Sequence, residues 1–240
     1  MATFAPELPV TPRESFASDL AGMGSFFLDP AGAAKRVHTK WFWLGPLIVF
    51  SIVSGIASYL MMPLMQHVLE IAPLPEGASP EQYQKGIQMT LLFMRIFMYA
   101  APVYCLIIYA CEAGILAGAS AVMGIKAKFG QLFNLVAGCS LIPLLGAIAA
   151  LVIVKARGDI STTAELKPAM GLDIFLGEGT NKFLVAFLGY FTVFELWWIV
   201  MMVLVFSAAF AVKKGKAFAA ILPLIVLSIV FKLLGAAFQR

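Results

Sequence analysis

The run Phe183–Val212 constrains the chain most. Over about 30 residues it is apolar or small except for one carboxylate, Glu195, within Phe194-Glu195-Leu196-Trp197-Trp198. A helix rises 1.5 Å per residue, so ~20 residues cross the ~30 Å hydrocarbon core of a bilayer, and this run is long enough to do so. An ionisable group at that depth costs roughly 2.5–3.5 kcal/mol even on insertion-based scales. Glu195 is therefore expected to face other helices and to find a partner.

The rest of the chain points the same way. Of its 240 residues 61% are hydrophobic and 12% charged, against ~45–50% and ~25% in soluble domains. Mean hydropathy is +0.92. The expected fold class is all-α, a polytopic membrane helical bundle with five transmembrane helices and a short juxtamembrane N-terminal helix. Residues 1–28 read as a cytoplasmic tail and residues 29–240 as the transmembrane domain.

No chemistry-bearing constellation stands out. Cys105, Cys111 and Cys139 all fall in apolar runs, where a thiol acts as a small hydrophobe, and no Cys/His ligand spacing exists. His38 and His67 lie outside the spans, and neither GxSxG nor HExxH occurs. The sequence thus offers no catalytic residue, metal site or cofactor, and a non-enzymatic role is expected.

Met1–Pro12, with Pro6, Pro9 and Pro12, reads as disordered. Phe16, Leu20, Met23 and Phe27 then recur at helical spacing and could lay an apolar stripe on the membrane surface. Asp29-Pro30 is a clearer start signal. Asp caps a helix, and Pro at the first helical position lacks only an N–H that would be unpaired anyway. A short helix Pro30–Thr39 is expected, with Lys35, Arg36 and Lys40 at the phospholipid headgroups rather than on nucleic acid.

The first span is read as Trp41–Gln66, with Ser51/Gly55 and Ser54/Ser58 four apart for close helix approach. The loop His67–Gly86 ends in Ser79-Pro80-Glu81-Gln82, a capping box. The second span, from Ile87 to about Ala119, carries Arg95, Pro102 and Glu112, with Gly114 and Gly118 as a close-packing pair. Lys126 and Lys128 make a basic turn, Gln131–Val154 a third span, and Lys155–Lys182 a long connection whose centre reads as a plain loop, with an interfacial dip as the alternative. After the run around Glu195, Lys213, Lys214 and Lys216 form a second basic turn, and Ala217–Phe238 closes the bundle with Lys232 inside it.

The purely basic turns set orientation. They place Lys35, Arg36, Lys40, Lys126, Lys128, Lys213, Lys214 and Lys216 on the cytoplasmic, headgroup-contacting side, whereas the opposite loops carry matched acids. Counting residues puts Arg95 about 12 Å below the entry at Ile87, Glu195 about 18 Å below Phe183, and Glu112 near the far surface. Arg95 and Glu195 are therefore the expected intramembrane charge pair, and Lys232 is a rival close enough to the end of its span to snorkel.

Taken in order, Phe26-Phe27-Leu28-Asp29-Pro30, Trp41 to Pro46-Leu47, Gly124 to Gly130 leading into Ile142-Pro143-Leu144-Leu145-Gly146, and Phe191-Thr192-Val193-Phe194-Glu195-Leu196-Trp197-Trp198 resemble the bacterial branch of the Yip1 domain family. The resemblance covers roughly Phe26 to Phe238. It implies a five-span protein of membrane-organising, trafficking-like type, with the lipid bilayer and other membrane proteins or further copies of itself as partners. The family's eukaryotic members work with Rab-type GTPases through an N-terminal region carrying Asp-Leu-Tyr-Gly-Pro. Here only Leu44-Gly45-Pro46 matches, and the tail is short. That departure argues against a small-GTPase partner and for a prokaryotic plasma-membrane protein, N-terminus inside and C-terminus outside. The competing class is a small-solute or ion transporter or channel using Arg95, Glu112 and Glu195.

Overall fold

The computed structural model describes residues 22–74, 77, 79–158, 160–162, 165–177 and 179–238. Every regular element among them is helical: α1 (Ser25–Leu28), α2 (Pro30–Val37), α3 (Leu44–Ile71), α4 (Pro80–Val122), α5 (Phe129–Cys139), α6 (Leu141–Arg157), α7 (Lys182–Leu188), α8 (Val193–Ala209) and α9 (Lys214–Ala237), with a 3-10 turn at Leu172–Phe175.

The expected start signals are realised. Asp29 caps α2, accepting from Gly32 N at 3.0 Å with Pro30 at the first helical position. Ser79 and Gln82 close both halves of the capping box that starts α4.

Four helical stretches are long and apolar enough to cross a membrane, namely α3, α4, the α5–α6 pair and α9. The fifth is a bent pair: α7 and α8 meet at 49° across Gly189–Thr192. The continuous helix expected over Phe183–Val212 is therefore two pieces. Thr192 explains the restart, since its hydroxyl accepts from Glu195 N at 3.0 Å and so favours a new helix N-terminus over continuation of α7.

The core gathers residues from nearly every element, including Phe26, Val37, Phe42, Leu116, Leu132, Ile142, Met202, Phe206 and Ile221, all under 2% exposed. The N-terminal segment belongs to this core. Helix α2 packs on α5 and α8, Phe26 stacks on Phe42 at 5.2 Å, and Trp197 Nε1 donates to Phe27 O at 2.9 Å. The packed unit begins no later than Met23, itself buried, ahead of the boundary expected between Leu28 and Asp29. Phe16 and Leu20, which share the expected interfacial stripe, lie outside the described residues.

Asn134 binds this segment to the bundle. Its side-chain amide donates to Val37 O at 3.1 Å and Thr39 O at 2.6 Å, and its carbonyl accepts from Trp43 N at 3.1 Å, satisfying three backbone groups where α2 turns into α3. His38 adds a polar bridge at the surface, its ring nitrogens meeting Ala209 O at 3.1 Å and Gln131 Nε2 at 2.7 Å.

Helices α3 and α4 form a hairpin at the side of the bundle. In their most apolar windows only 6% of residues are buried, against 39% for α5–α6 and 28% for α9. The hairpin's far end is held by a second small cluster in which Val68 meets Val154, Ile160 and Leu166. Gly55, Gly114 and Gly118, expected at close helix contacts, have open space where a Cβ would stand, so none of the described helices packs on them. Close packing occurs instead at Gly138, where a Cβ would fall into the Phe26 ring.

Candidate functional site

The break between α7 and α8 puts Glu195 in a setting that counting along a continuous helix does not anticipate. It sits in the first turn of α8, where the unpaired N–H groups and the helix dipole favour a negative charge by ~0.3–1 kcal/mol, more where partly buried. The half-buried acid is thus favoured by the N-terminus of its own helix.

Its cationic neighbour is Lys232 on α9. Lys232 Nζ donates to Gly189 O, a carbonyl at the break, and lies 5.8 Å from the centre of the Tyr190 ring. At 100° per residue Lys232 falls on the same stripe of α9 as buried Ile221, Ile225 and Ala236, but its own side chain is exposed as it reaches from α9 to the break. Glu112 and Tyr190 complete the electrostatic surroundings of Glu195.

Glu112 is half-buried on α4, ten residues before Val122, which is ~15 Å along the helix and not at its end. It lies near Cys139 and near Tyr109, whose hydroxyl shares a 2.7 Å hydrogen bond with Ser140 Oγ. Ser140 marks the interruption between α5 and α6. Glu112, Glu195 and Lys232 thus gather between two interrupted spans. Such breaks in membrane proteins are tolerated where protein or a water-lined cavity satisfies the freed backbone groups.

The structure does not bring Arg95 to this cluster. Its side chain is exposed, and apart from Ile87 the buried residues of α4 begin only at Cys105, so the stretch around Arg95 lies beyond the core. From Arg95 to Val122 is ~40 Å of helix, the full bilayer with its headgroups, which puts Arg95 at one interface if Val122 is at the other.

The basic residues expected at headgroups are solvent-facing at two turns. Lys126 and Lys128 are exposed before α5, and Lys213, Lys214 and Lys216 are exposed at the start of α9. Lys35 and Lys40 are exposed as well, Lys40 lying 5.6 Å from the Trp41 ring centre, while Arg36 is half-buried beside Gly22.

Two contacts at the break had no legible signal in the sequence. The 3-10 turn rests on α7 through paired glycines, since a Cβ on Gly171 would lie 3.0 Å from Gly189 Cα, Gly189 O and Leu188 O. A Cβ on Gly189 would in turn meet Val185 O at 2.9 Å and Asp173 Oδ2 at 3.1 Å. Asp173 also accepts from Gly171 N at 2.9 Å and is a second anionic neighbour of Lys232.

With helix order, interrupted spans and interior charges established, the family comparison is decisive: the model of the Yip1 domain matches residues 23–234. The chain belongs to the Yip1 domain family. The matched region begins at Met23, where the packed core begins, and takes in the hairpin, both interrupted spans and Lys232. Comparison with curated proteins and with solved structures found no match. This Yip1 domain is therefore a multi-pass, all-α membrane protein in which α1 and α2 are part of the bundle.

Proposed function

We propose that this Yip1 protein is a non-enzymatic membrane-organising factor that associates laterally with other membrane proteins or with further copies of itself through the α3–α4 hairpin. The carrying observation is the hairpin's outer face. It is apolar along most of its length, and Gly114 and Gly118 sit on it with open space beside them among the described residues, next to exposed Cys111. Small residues four apart allow close helix approach in lipid, where association depends on packing rather than on the hydrophobic effect. The basic turns support a prokaryotic plasma-membrane location with the N-terminus and both turns in the cytoplasm and the C-terminus outside. The poor match to the GTPase-linked motif disfavours a small-GTPase partner.

Oxidative crosslinking through Cys111 in native membranes, followed by mass spectrometry of the products, tests this reading. Adducts with a second copy or a reproducible membrane protein, lost in Gly114→Leu/Gly118→Leu, are expected. Unchanged adducts in the double variant would remove the hairpin from the account.

One observation favours the transport reading. Glu195 is the electrostatic neighbour of both Glu112 and Lys232 beside a broken span, and half-helix ends line substrate and ion sites in many transporters. Proton- or solute-coupled flux in liposomes holding the purified protein, abolished by Glu195→Gln in a folded variant, would establish it. Absence of flux would leave the organising role.

A further inference from the structure

Two helices measure how far the break between α7 and α8 stands from the basic turn at Lys213–Lys216. Helix α8 puts 17 residues, about 25 Å, between the break and its end at Ala209. On α9, Lys232 stands 18 positions after Lys214, about 27 Å along the helix, and its Nζ donates to Gly189 O at the break. Both lengths fall just short of the ~30 Å hydrocarbon core. The break therefore sits near the edge of the core in the leaflet opposite the basic turns.

The 3-10 turn Leu172–Phe175 is fastened at that level. A Cβ on Gly171 would lie 3.0 Å from Gly189 Cα, Gly189 O and Leu188 O, so the turn begins backbone to backbone with the break. The Asp173 carboxyl is occupied on that inner side, accepting from Gly171 N at 2.9 Å and lying 3.1 Å from where a Cβ on Gly189 would stand. The apolar residues of the turn are left uncovered: Leu172 is 45% exposed, Ile174 64% and Phe175 83%. Helix α7, on which the turn packs, carries exposed Phe183, Leu184 and Phe187.

Depth decides what covers these side chains. Lipid-facing irregular backbone does not occur within the hydrocarbon, so the turn belongs at the boundary of headgroups and acyl chains, with only its side chains entering. Ile174 N donates to Gly171 O at 3.2 Å and Leu176 N to Asp173 O at 3.0 Å, which reduces the number of backbone groups that headgroup water must satisfy.

We propose that Leu172, Ile174 and Phe175 form an interfacial anchor, inserted into the leaflet opposite the basic turns, with lipid as its partner. The connection between α6 and α7 is then held from two sides, by Gly171 against the break and by lipid around Phe175. The anchor is separate from the α3–α4 hairpin, so its failure would leave the lateral-association reading intact.

The test uses the purified full chain, Cys-free, in liposomes of phosphatidylcholine and phosphatidylglycerol, with a nitroxide placed through Ile174→Cys, Phe175→Cys or, as a control in the same connection, Lys167→Cys. Residues 174 and 175 are exposed, so the labels leave the packed core undisturbed. Accessibility to oxygen, which concentrates in lipid, and to a polar nickel chelate, which stays in water, gives the depth of each label. Labels at 174 and 175 are expected ~5–10 Å into the headgroup and acyl boundary, and the label at 167 in water. Nickel access at 174 and 175 equal to that at 167 would put the turn in water and overturn the proposal. Low access to both reagents would mean that a second copy covers the turn, and would overturn it equally. With the label at 174, Phe175→Asp should raise nickel access while Phe175→Leu does not. Unchanged access in Phe175→Asp would show that Gly171 alone sets the depth, which removes lipid as the anchor's partner.

Discussion

Asn134 illustrates how much one polar residue can decide in an apolar bundle. Surrounded by apolar neighbours and 3% exposed, it meets three backbone groups of the segment joining α2 to α3. A buried backbone group left without a partner costs ~1–3 kcal/mol, so Asn134→Ala should destabilise by more than the ~1 kcal/mol of an ordinary lost hydrogen bond. It should also release α2 first. Thermal unfolding in detergent, with hydrogen exchange read at residues 37–43, checks both. Uniform destabilisation without faster exchange there would mean that Asn134 supports the bundle generally. Asn134 falls within the third span expected from the sequence, but its partners lie more than 90 positions away in the chain and only packing brings them to it. Glu195 shows the same limit. Its cost could be read from hydropathy, whereas its place in the first turn of a new helix depends on where α7 stops.

At the scale of elements, the break between α7 and α8 and the turn that covers it form one unit. Gly171 lies so close to the Gly189 backbone that any Cβ there would need that backbone to give by a few tenths of an ångström. Gly171→Val should force the turn away, raising hydrogen exchange over residues 171–189 while the distant α2–α5 contacts keep their protection. Equal exchange in both regions would show that the turn has no separate hold.

Earlier in the same connection, backbone N–H donation from Ser161 at 2.7 Å, with Thr162 N at 3.3 Å, holds the Glu165 carboxyl below the ordinary glutamate range. A lowered carboxyl pKa in the folded state means this local stability is complete above the unfolded value of ~4.3 and is lost as pH falls through the lowered value. Local opening of the 160–166 segment is therefore expected only in acid, well below pH 4.3. Glu165→Gln should open the segment at neutral pH, as amide exchange or protease cleavage would report. A pH-independent segment in the wild type would exclude the carboxylate as its fastening.

For the whole molecule, the helices constrain the topology. The turns carrying Lys126 with Lys128 and Lys213 with Lys216 should share a side, with the 165–182 connection opposite. Single cysteines placed at 126, 214 and 167 in a Cys-free background should show the first two labelled from the cytoplasm and the third from outside. Labelling of 126 and 167 from the same side would require the α5–α6 pair to re-enter rather than cross.

Sequence by itself determined which stretches are long and apolar enough to cross the membrane, and where α2 and α4 begin. These properties are local: hydropathy sums over neighbours, and a cap is satisfied within four residues. Tertiary structure decided which charges meet. Depth can be counted along a helix at 1.5 Å per residue, but the direction a side chain faces depends on how helices pack and where they break. Arg95 therefore lies exposed beyond the core, and Lys232, near the end of α9, is the cation that bonds to the broken span and is the electrostatic neighbour of Glu195.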